Sequence, residues 1–210
     1  MKALIQGLVL STVASTVGVS AQADALYQQY QAQWAAAQYQ QQGDAREAAL
    51  ASLSAKVRQD VQQHPDDLAL RTWAGIIVGS YAGAKGGIGA LSLAKEAKAD
   101  YEAVIARDPS TLQGSALTSL GVLYYKVPDW PLGFGDDKQA EFMLKRGLNL
   151  NPEGIDSNYF YADYLASKGD NDTARRYLQK ALAAPDRPGR ALADSGRREE
   201  IRALQKKLAE

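Results

Sequence analysis

Four proline residues, each placed directly after an apolar stretch with helical spacing, divide this chain at regular intervals. They are Pro65, Pro109, Pro152 and Pro185. Proline cannot continue a helix and disfavours helical geometry in the residue before it, so each position predicts a helix end. The intervals are 44, 43 and 33 residues, which a repeat of about 34 residues with additions in two copies explains. The spacing therefore predicts a helical repeat.

The intervals also contain the small residues that two closely packed helices need. In the last interval, Gly169-Asp170 predicts a turn between two helices. Ala162 and Ala174, on either side of it, are predicted where the helices approach each other. In the interval before, Gly121 and Ala140 take the corresponding places, with more residues between them. Each interval is therefore predicted to form one helical pair.

The additional residues, Ala82 to Leu91 in the second unit and Val127 to Asp137 in the third, are predicted to form loops. Each falls between the first and second helix of its unit, so stacking the units in one orientation brings both loops to one edge. Insertions on one face of a repeat array often mark its binding surface. We expect a glycine-rich mobile loop beside a proline-containing rigid one. One carboxylate of Asp136-Asp137 is expected to cap the helix that follows.

These positions resemble the tetratricopeptide repeat, a family of stacked helix-turn-helix units. The best matches are Leu120-Gly121 with Tyr124, and Ala97 and Tyr101 with Pro109. The resemblance implies an all-α, tetratricopeptide-like solenoid of four helical pairs with a C-terminal capping helix. The predicted pairs cover about 24–65, 66–109, 110–152 and 153–185.

The two ends of the chain fall outside the repeat. Residues 1–23 have the pattern of a secretory signal: Lys2, an uncharged apolar stretch, and Ala21-Gln22-Ala23 before the cleavage site. Cleavage there makes Asp24 the first mature residue. Residues 186–210 place apolar side chains among charged ones, which predicts an amphipathic helix that covers the exposed end of the stack. We expect an exported, soluble periplasmic protein with no membrane span after cleavage.

Composition narrows the classes of function. Lys plus Arg and Asp plus Glu both number 24, so no excess positive charge attracts nucleic acid. The chain has no cysteine and a single histidine, His64, so it lacks a cysteine nucleophile and the clustered ligands of a zinc site. Gly83 to Gly89 is glycine-rich but lacks the Gly-x-x-x-x-Gly-Lys-Ser/Thr spacing of a phosphate-binding loop. We expect no catalytic residues, no metal site and no cofactor.

A narrower resemblance covers Gly121 to Asp137, followed by Asn151-Pro152 and Tyr159-Phe160-Tyr161. These residues look like exported tetratricopeptide-type proteins of Gram-negative bacteria, among them the T-component of tripartite periplasmic (TRAP) transporters. The resemblance implies a non-enzymatic adaptor or scaffold for protein-protein interaction, with an envelope protein or peptide as its partner. The alternative is a ligand-binding accessory component of a periplasmic transporter, which takes a small molecule.

Six residues are candidates for contact with the partner or ligand. They are Lys85, Tyr125, Trp130, Phe134, Tyr159 and Asp163. Three of them belong to the predicted loops, and the two tyrosines and Asp163 are expected on first helices, facing the inner groove. Tyrosine with aspartate suits an extended peptide or a small polar ligand, and an aromatic edge suits an apolar one. Core packing is the competing interpretation for about half of the aromatic residues.

Overall fold

The structure is a computed structural model that describes residues 17–210, with side chains from Leu26 onward. Residues 1–16 of the predicted signal lie outside the described residues, so export stays a prediction. The described chain is all-α, as predicted, with nine α-helices packed in sequential pairs, an arrangement consistent with a helical repeat. From Val17 onward, no helix is long and apolar enough to cross a bilayer. The helices are α1 (Val17–Gln40), α2 (Gly43–Gln63), α3 (Leu68–Lys85), α4 (Gly87–Arg107), α5 (Ser115–Lys126), α6 (Asp137–Leu150), α7 (Ile155–Ser167), α8 (Asn171–Ala183) and α9 (Ala191–Lys207).

The predicted helix ends at proline are confirmed. α2, α4, α6 and α8 each end two residues before their proline. The residue between the helix and the proline has non-helical backbone angles in all four cases. The proline ring disfavours helical geometry in that residue, so the same local cause ends all four helices.

Aspartate side chains begin three of the helices. Asp136, before α6, accepts hydrogen bonds from the backbone N–H groups of Lys138 (2.9 Å) and Gln139 (3.0 Å), which confirms the predicted cap. Asp67 and Asp170 do the same for α3 and α8. Each carboxylate satisfies N–H groups that have no acceptor within the helix.

Small residues allow the paired helices to approach closely. A Cβ atom at Gly121 of α5 would lie 2.7 Å from Cγ of Leu144 and 3.1 Å from the backbone oxygen of Ala140. The second pair repeats this arrangement, because Gly75 of α3 lies directly against the ring of Tyr101 of α4. The predicted close contact of Gly121 with the following helix is therefore confirmed.

The prediction that Ala82 to Leu91 forms a loop is wrong. This stretch is helical except at Gly86, which separates α3 from α4. The additional residues lengthen the two helices to 18 and 21 residues, against 12 and 14 in α5 and α6. Gly86 and Gly87 have φ values of 62° and 61°, which glycine adopts without strain, so they suffice for the reversal. Ala90 and Leu93 pack against the core, and this burial favours helix over loop.

The C-terminal helix α9 connects the two ends of the array. Its Ala193 belongs to the core cluster that contains Tyr30 and Trp34 of α1. Its Ile201 is fully buried with Ile155 of α7 and with residues of α8. The sequence predicts a helix that covers the last pair. That helix is present, and it also contacts α1 of the first pair.

Candidate functional site

A cavity of about 1030 Å³ lies inside the array. The first helix of every pair contributes to its wall, together with the segment that leads into α9 and with α9 itself. Its apolar wall includes Trp34, Trp73, Ile76, Val122, Leu123 and Phe160. Its charged wall includes Lys126, Asp156, Asp163, Arg187, Arg190, Arg197 and Glu200. The volume is at the upper end of the range for small-molecule sites.

Charged residues in and before α9 bind Asp156 of α7. Nη1 of Arg187 donates to Oδ2 of Asp156 (2.6 Å), and Nε of Arg197 donates to Oδ1 (2.8 Å). Asp194, only 2% exposed, accepts a hydrogen bond from Nε of Arg187 (2.7 Å). Glu200 pairs with Arg197. This network attaches the C-terminal segment to the fourth pair and forms one side of the cavity.

The arginines determine the ionisation of this network. Burial alone would raise the pKa of Asp156, but Arg197, Arg187 and Arg190 together outweigh burial and hold that pKa well below its usual range. Burial alone would lower the pKa of Arg197, but Asp156, Tyr39, Glu200 and Tyr159 together outweigh it and raise that pKa. Burial raises the pKa of Glu200, against the opposing effect of Arg197. Asp156 is therefore a fixed negative charge at neutral pH rather than a proton donor.

A second polar group lies where α5 meets α7. Oη of Tyr125 donates to Oδ2 of Asp163 (2.7 Å), and Nζ of Lys126 pairs with the same oxygen (2.8 Å). Burial and the Asp163 carboxylate raise the pKa of Tyr125 well above its usual value. Cζ of Arg197 lies 4.6 Å from the ring centroid of Tyr159. Burial raises the pKa of Tyr159 to about 12. Both phenols stay protonated at neutral pH, and that of Tyr125 serves as a hydrogen-bond donor.

Arg190 differs from the other cations of the cavity wall. Among the described residues, its guanidinium has no carboxylate in ion-pairing range, and its Nε is buried without an acceptor. The guanidinium lies 5.5 Å from the ring centroid of Trp73, whose own Nε1 is also buried without an acceptor. Arg46 likewise lacks a carboxylate but donates to the backbone oxygen of Gln41 (3.0 Å). Arg190 is thus the wall arginine whose guanidinium makes no hydrogen bond or ion pair within the described chain.

A strained turn before α5 also faces the cavity. Leu112 and Gln113, in the 3₁₀ turn Thr111–Gly114, have φ values of 48° and 56°, and both line the cavity. The left-handed conformation costs a residue with a side chain about 1–2 kcal/mol. Leu112 packs against the core cluster that contains Trp73, so the turn belongs to the same wall. Backbone strain of this kind is concentrated at binding and active sites.

The structure brings three of the six predicted site residues together. Tyr159 and Asp163 line the cavity, and Tyr125 is hydrogen-bonded to Asp163. The three candidates from the predicted loops are not among the wall residues. The inner-groove position expected for Tyr159 and Asp163 therefore agrees with the structure, whereas the loop candidates lie elsewhere.

Those three loop candidates have different surroundings. Lys85 is exposed at the end of α3, where its Nζ lies 3.7 Å from a carboxylate oxygen of Glu47. Trp130 is 86% exposed. Phe134 is half-buried and packs edge-on against Tyr124, with ring centroids 6.1 Å apart. Phe134 therefore belongs to the core, and Trp130 belongs to the surface.

The loop between α5 and α6 is held in one conformation by its own backbone. The N–H of Gly135 donates to the oxygen of Pro128 (2.9 Å), and the N–H of Asp136 donates to the oxygen of Tyr124 (3.0 Å). Side chains at Gly133 or Gly135 would overlap with the facing backbone oxygens. These close contacts agree with the rigid loop that the sequence predicts.

Alanine substitutions in this loop are expected to have opposite outcomes. Trp130→Ala should change the free energy of unfolding by less than about 0.5 kcal/mol, because the indole is almost fully in solvent. Phe134→Ala should lower the free energy of unfolding by about 1–2 kcal/mol, because it removes a half-buried ring that packs against Tyr124. Urea denaturation of both variants checks this. A larger loss in Trp130→Ala would contradict the surface position of that residue.

Sequence reasoning missed the arginines of the C-terminal segment. The signal was present: Arg190, Asp194, Arg197 and Ile201 are four, three and four residues apart, which places them on one face of a helix. Asp194 and Arg197 are buried on that face together with Ile201. The charged residues were interpreted as the solvent side of a capping helix, although the spacing places them on its packed side.

Comparisons with known proteins identify no family for this chain. No protein-family model matches the chain, and no curated protein sequence matches it. Among the side chains of residues 26–210, no group of three His, Asp or Glu is placed to hold a metal ion. Function is therefore argued from the cavity and its wall.

Proposed function

We propose that this chain is a non-enzymatic binding protein of the periplasm whose ligand lies in the inner cavity. The carrying observation is that α9 packs against both α1 and the fourth pair. The inner groove between these elements forms a half-open cavity of about 1030 Å³. A small molecule or a short peptide fits this space. Its volume supports a ligand-binding accessory, such as one serving a periplasmic transporter, more than an adaptor.

The same proposal assigns the array to the tetratricopeptide type. Its support is the sequential packing of the pairs and the proline that follows the second helix of each. Gly121 against Ala140 and Leu144 adds the close contact of small residues that this repeat uses. Ligands of such arrays bind on the side formed by the first helices, and here those helices line the cavity.

A binding role without catalysis is supported by the state of the titratable groups. Asp156 is held ionised by two arginines, and the pKa values of Tyr125 and Tyr159 lie above neutrality. None of these groups exchanges a proton near neutral pH, which general acid-base catalysis requires. They are suited to hold a ligand in position.

Native mass spectrometry of the protein purified from the periplasm tests the proposal. We expect a mass excess of a small molecule that is lost on denaturation. The matched variants are Gly83→Trp and Gly83→Ala, because Gly83 lines the cavity and a Cβ there meets nothing within 4 Å. Tryptophan should narrow the cavity and lower the excess mass, while alanine should retain it. Equal ligand content in wild type and in the folded double variant Gly83→Trp with Val122→Trp, which narrows the cavity from α3 and α5, would refute the cavity as the site.

The adaptor remains a second candidate because of one surface feature. Trp130 and Leu132 of the α5–α6 loop are 86% and 76% exposed, and such adjacent apolar side chains often mark a protein contact. An envelope protein bound there should be lost in Trp130→Ala and retained in Gly83→Trp. The opposite pattern supports the cavity instead.

A further inference from the structure

We infer that the cavity binds an organic carboxylate, with its carboxyl group on Arg190 and its apolar part against Trp73 and the neighbouring apolar wall. The inference rests on the proposed function, because it requires the cavity to hold a ligand. It adds the chemical class of that ligand and the residue that recognises it.

The first argument is the pairing of charges around the cavity. Arg187 pairs with Asp156 and Asp194, and Arg197 pairs with Asp156 and Glu200. Lys126 pairs with Asp163 in the same way. After these pairs are formed, the guanidinium of Arg190 has no partner among the described residues. Asp156, Asp194 and Glu200 balance the charges of Arg187, Arg190 and Arg197, so the network has no net charge, and it opposes a monoanion less than a dianion such as phosphate.

The second argument is the position of the guanidinium. Arg190 lies over Trp73, and stacking on an aromatic face holds the plane of a guanidinium in place. Trp73 is 3% exposed, so its ring is held in place by the surrounding core. A guanidinium held in this way presents its N–H groups as a fork, which carboxylates bind with two hydrogen bonds. The partly exposed side chains of Ile76, Val122 and Phe160 on the same cavity wall offer an apolar surface to the rest of the ligand.

The third argument is that the described protein opposes the charge of Arg190. Burial lowers its pKa, and Arg187 and Arg197 lower it further, against the opposing effect of Asp156 and Asp194. A cation that is costly to bury persists where it has a role other than stability. A bound carboxylate supplies hydrogen-bond acceptors, which the guanidinium of Arg190 lacks among the described residues.

The acidic residues of the wall do not prevent this binding. Asp156 and Asp163 are each neutralised by the cations named above, and Asp186 pairs with Arg198 (2.8 Å). Glu153 is exposed to solvent, where its charge is screened. The approach of an anion to Arg190 is therefore opposed only weakly.

Calorimetric titration of the full chain tests the inference with two matched pairs of probes. Phenylacetate and octanoate carry the carboxylate on an aromatic and an aliphatic group, and phenylacetamide and octanamide are their neutral counterparts. At least one carboxylate should bind at least about ten-fold more tightly than its amide, and Arg190→Met should remove that preference. Inorganic phosphate should bind more weakly than the preferred carboxylate.

Two further variants separate charge from structure. Arg202→Met removes the same charge from an exposed position of α9 and should leave affinity unchanged. Arg190→Lys should restore only part of the affinity, because lysine lacks the planar fork. Arg190→Met should still fold, because methionine keeps an apolar contact with Trp73 and Asp156 keeps its ion pairs with Arg187 and Arg197.

Three results would overturn the inference. Equal carboxylate affinity in wild type and Arg190→Met excludes Arg190, and tighter binding of phosphate excludes a monoanion. Equal binding of carboxylate and amide, with loss of both in Gly83→Trp, leaves the cavity as a ligand site and rejects the carboxylate. Absence of binding by all four organic probes up to about 10 mM rejects the inference, and native mass spectrometry then decides separately whether the cavity holds another ligand.

Discussion

Gly121→Leu is expected to lower the free energy of unfolding by about 3 kcal/mol, the upper end for an overpacked core. A Cβ atom alone would lie 2.7 Å from Cγ of Leu144 and 3.1 Å from the backbone oxygen of Ala140. The side chain of Leu144 is fully buried and has little room to move, and the backbone oxygen is part of α6. Because leucine adds three further carbon atoms, α5 and α6 must separate. Urea denaturation followed by circular dichroism measures the loss.

Gly83→Leu is the matched control, because it makes the same change inside a helix where a Cβ meets nothing within 4 Å. Leucine forms helix better than glycine does, so this variant should be as stable as wild type or more stable by up to about 1 kcal/mol. The difference between the two variants isolates the steric effect. Equal denaturation midpoints for both would contradict the close contact between α5 and α6.

The parts of the fold that follow from local chemistry could be predicted from the sequence. Proline ends a helix wherever it occurs, and glycine or alanine at the correct spacing allows two helices to meet. Gly121 and the cap at Asp136 are therefore visible in the sequence itself. The length of α3 and α4 could not be predicted from the sequence, because Gly86 and Gly87 suit both a loop and a sharp break between helices. Burial of Ala90 and Leu93 decides between them, and burial depends on the neighbouring pair.

The cavity could be predicted only in part. Tyr159 and Asp163 were assigned to the inner side because helical spacing defines that side within each unit. The contact of α9 with the first pair depends on the total rotation between successive pairs along the array. No short pattern in the sequence determines that total rotation. Arg190 gains its importance only from this contact, because α9 brings it over Trp73. Residues that act through distant contacts were therefore the ones missed.

Asp156→Asn is expected to cost about 2–3 kcal/mol at neutral pH. Removing one partner of a fully buried ion pair costs about 3–5 kcal/mol, and Asp156 still exposes 31% of its side chain. The loss is limited further because Arg187 keeps Asp194 and Arg197 keeps Glu200. Asp186→Asn is the control, since its ion pair with Arg198 involves an aspartate that is 86% exposed and should cost less than about 1 kcal/mol.

The contribution of Asp156 should also depend on pH in a defined direction. Its pKa in the folded protein lies below the value of about 3.9 in an unfolded chain, so unfolding takes up a proton at acidic pH. The stability it provides is complete above about pH 5 and is lost as the pH falls from there. Asp100, whose pKa burial raises, acts in the opposite direction but is present in wild type and variant alike. The pKa of Glu200, raised by burial, is raised further by Asp156, so the loss of this part in the variant reduces the expected change without reversing it. The difference in unfolding free energy between wild type and Asp156→Asn should therefore shrink between pH 6 and pH 3, roughly the range in which an unfolded aspartate titrates. A difference that stays constant over this range would show that the arginines do not lower the pKa of Asp156.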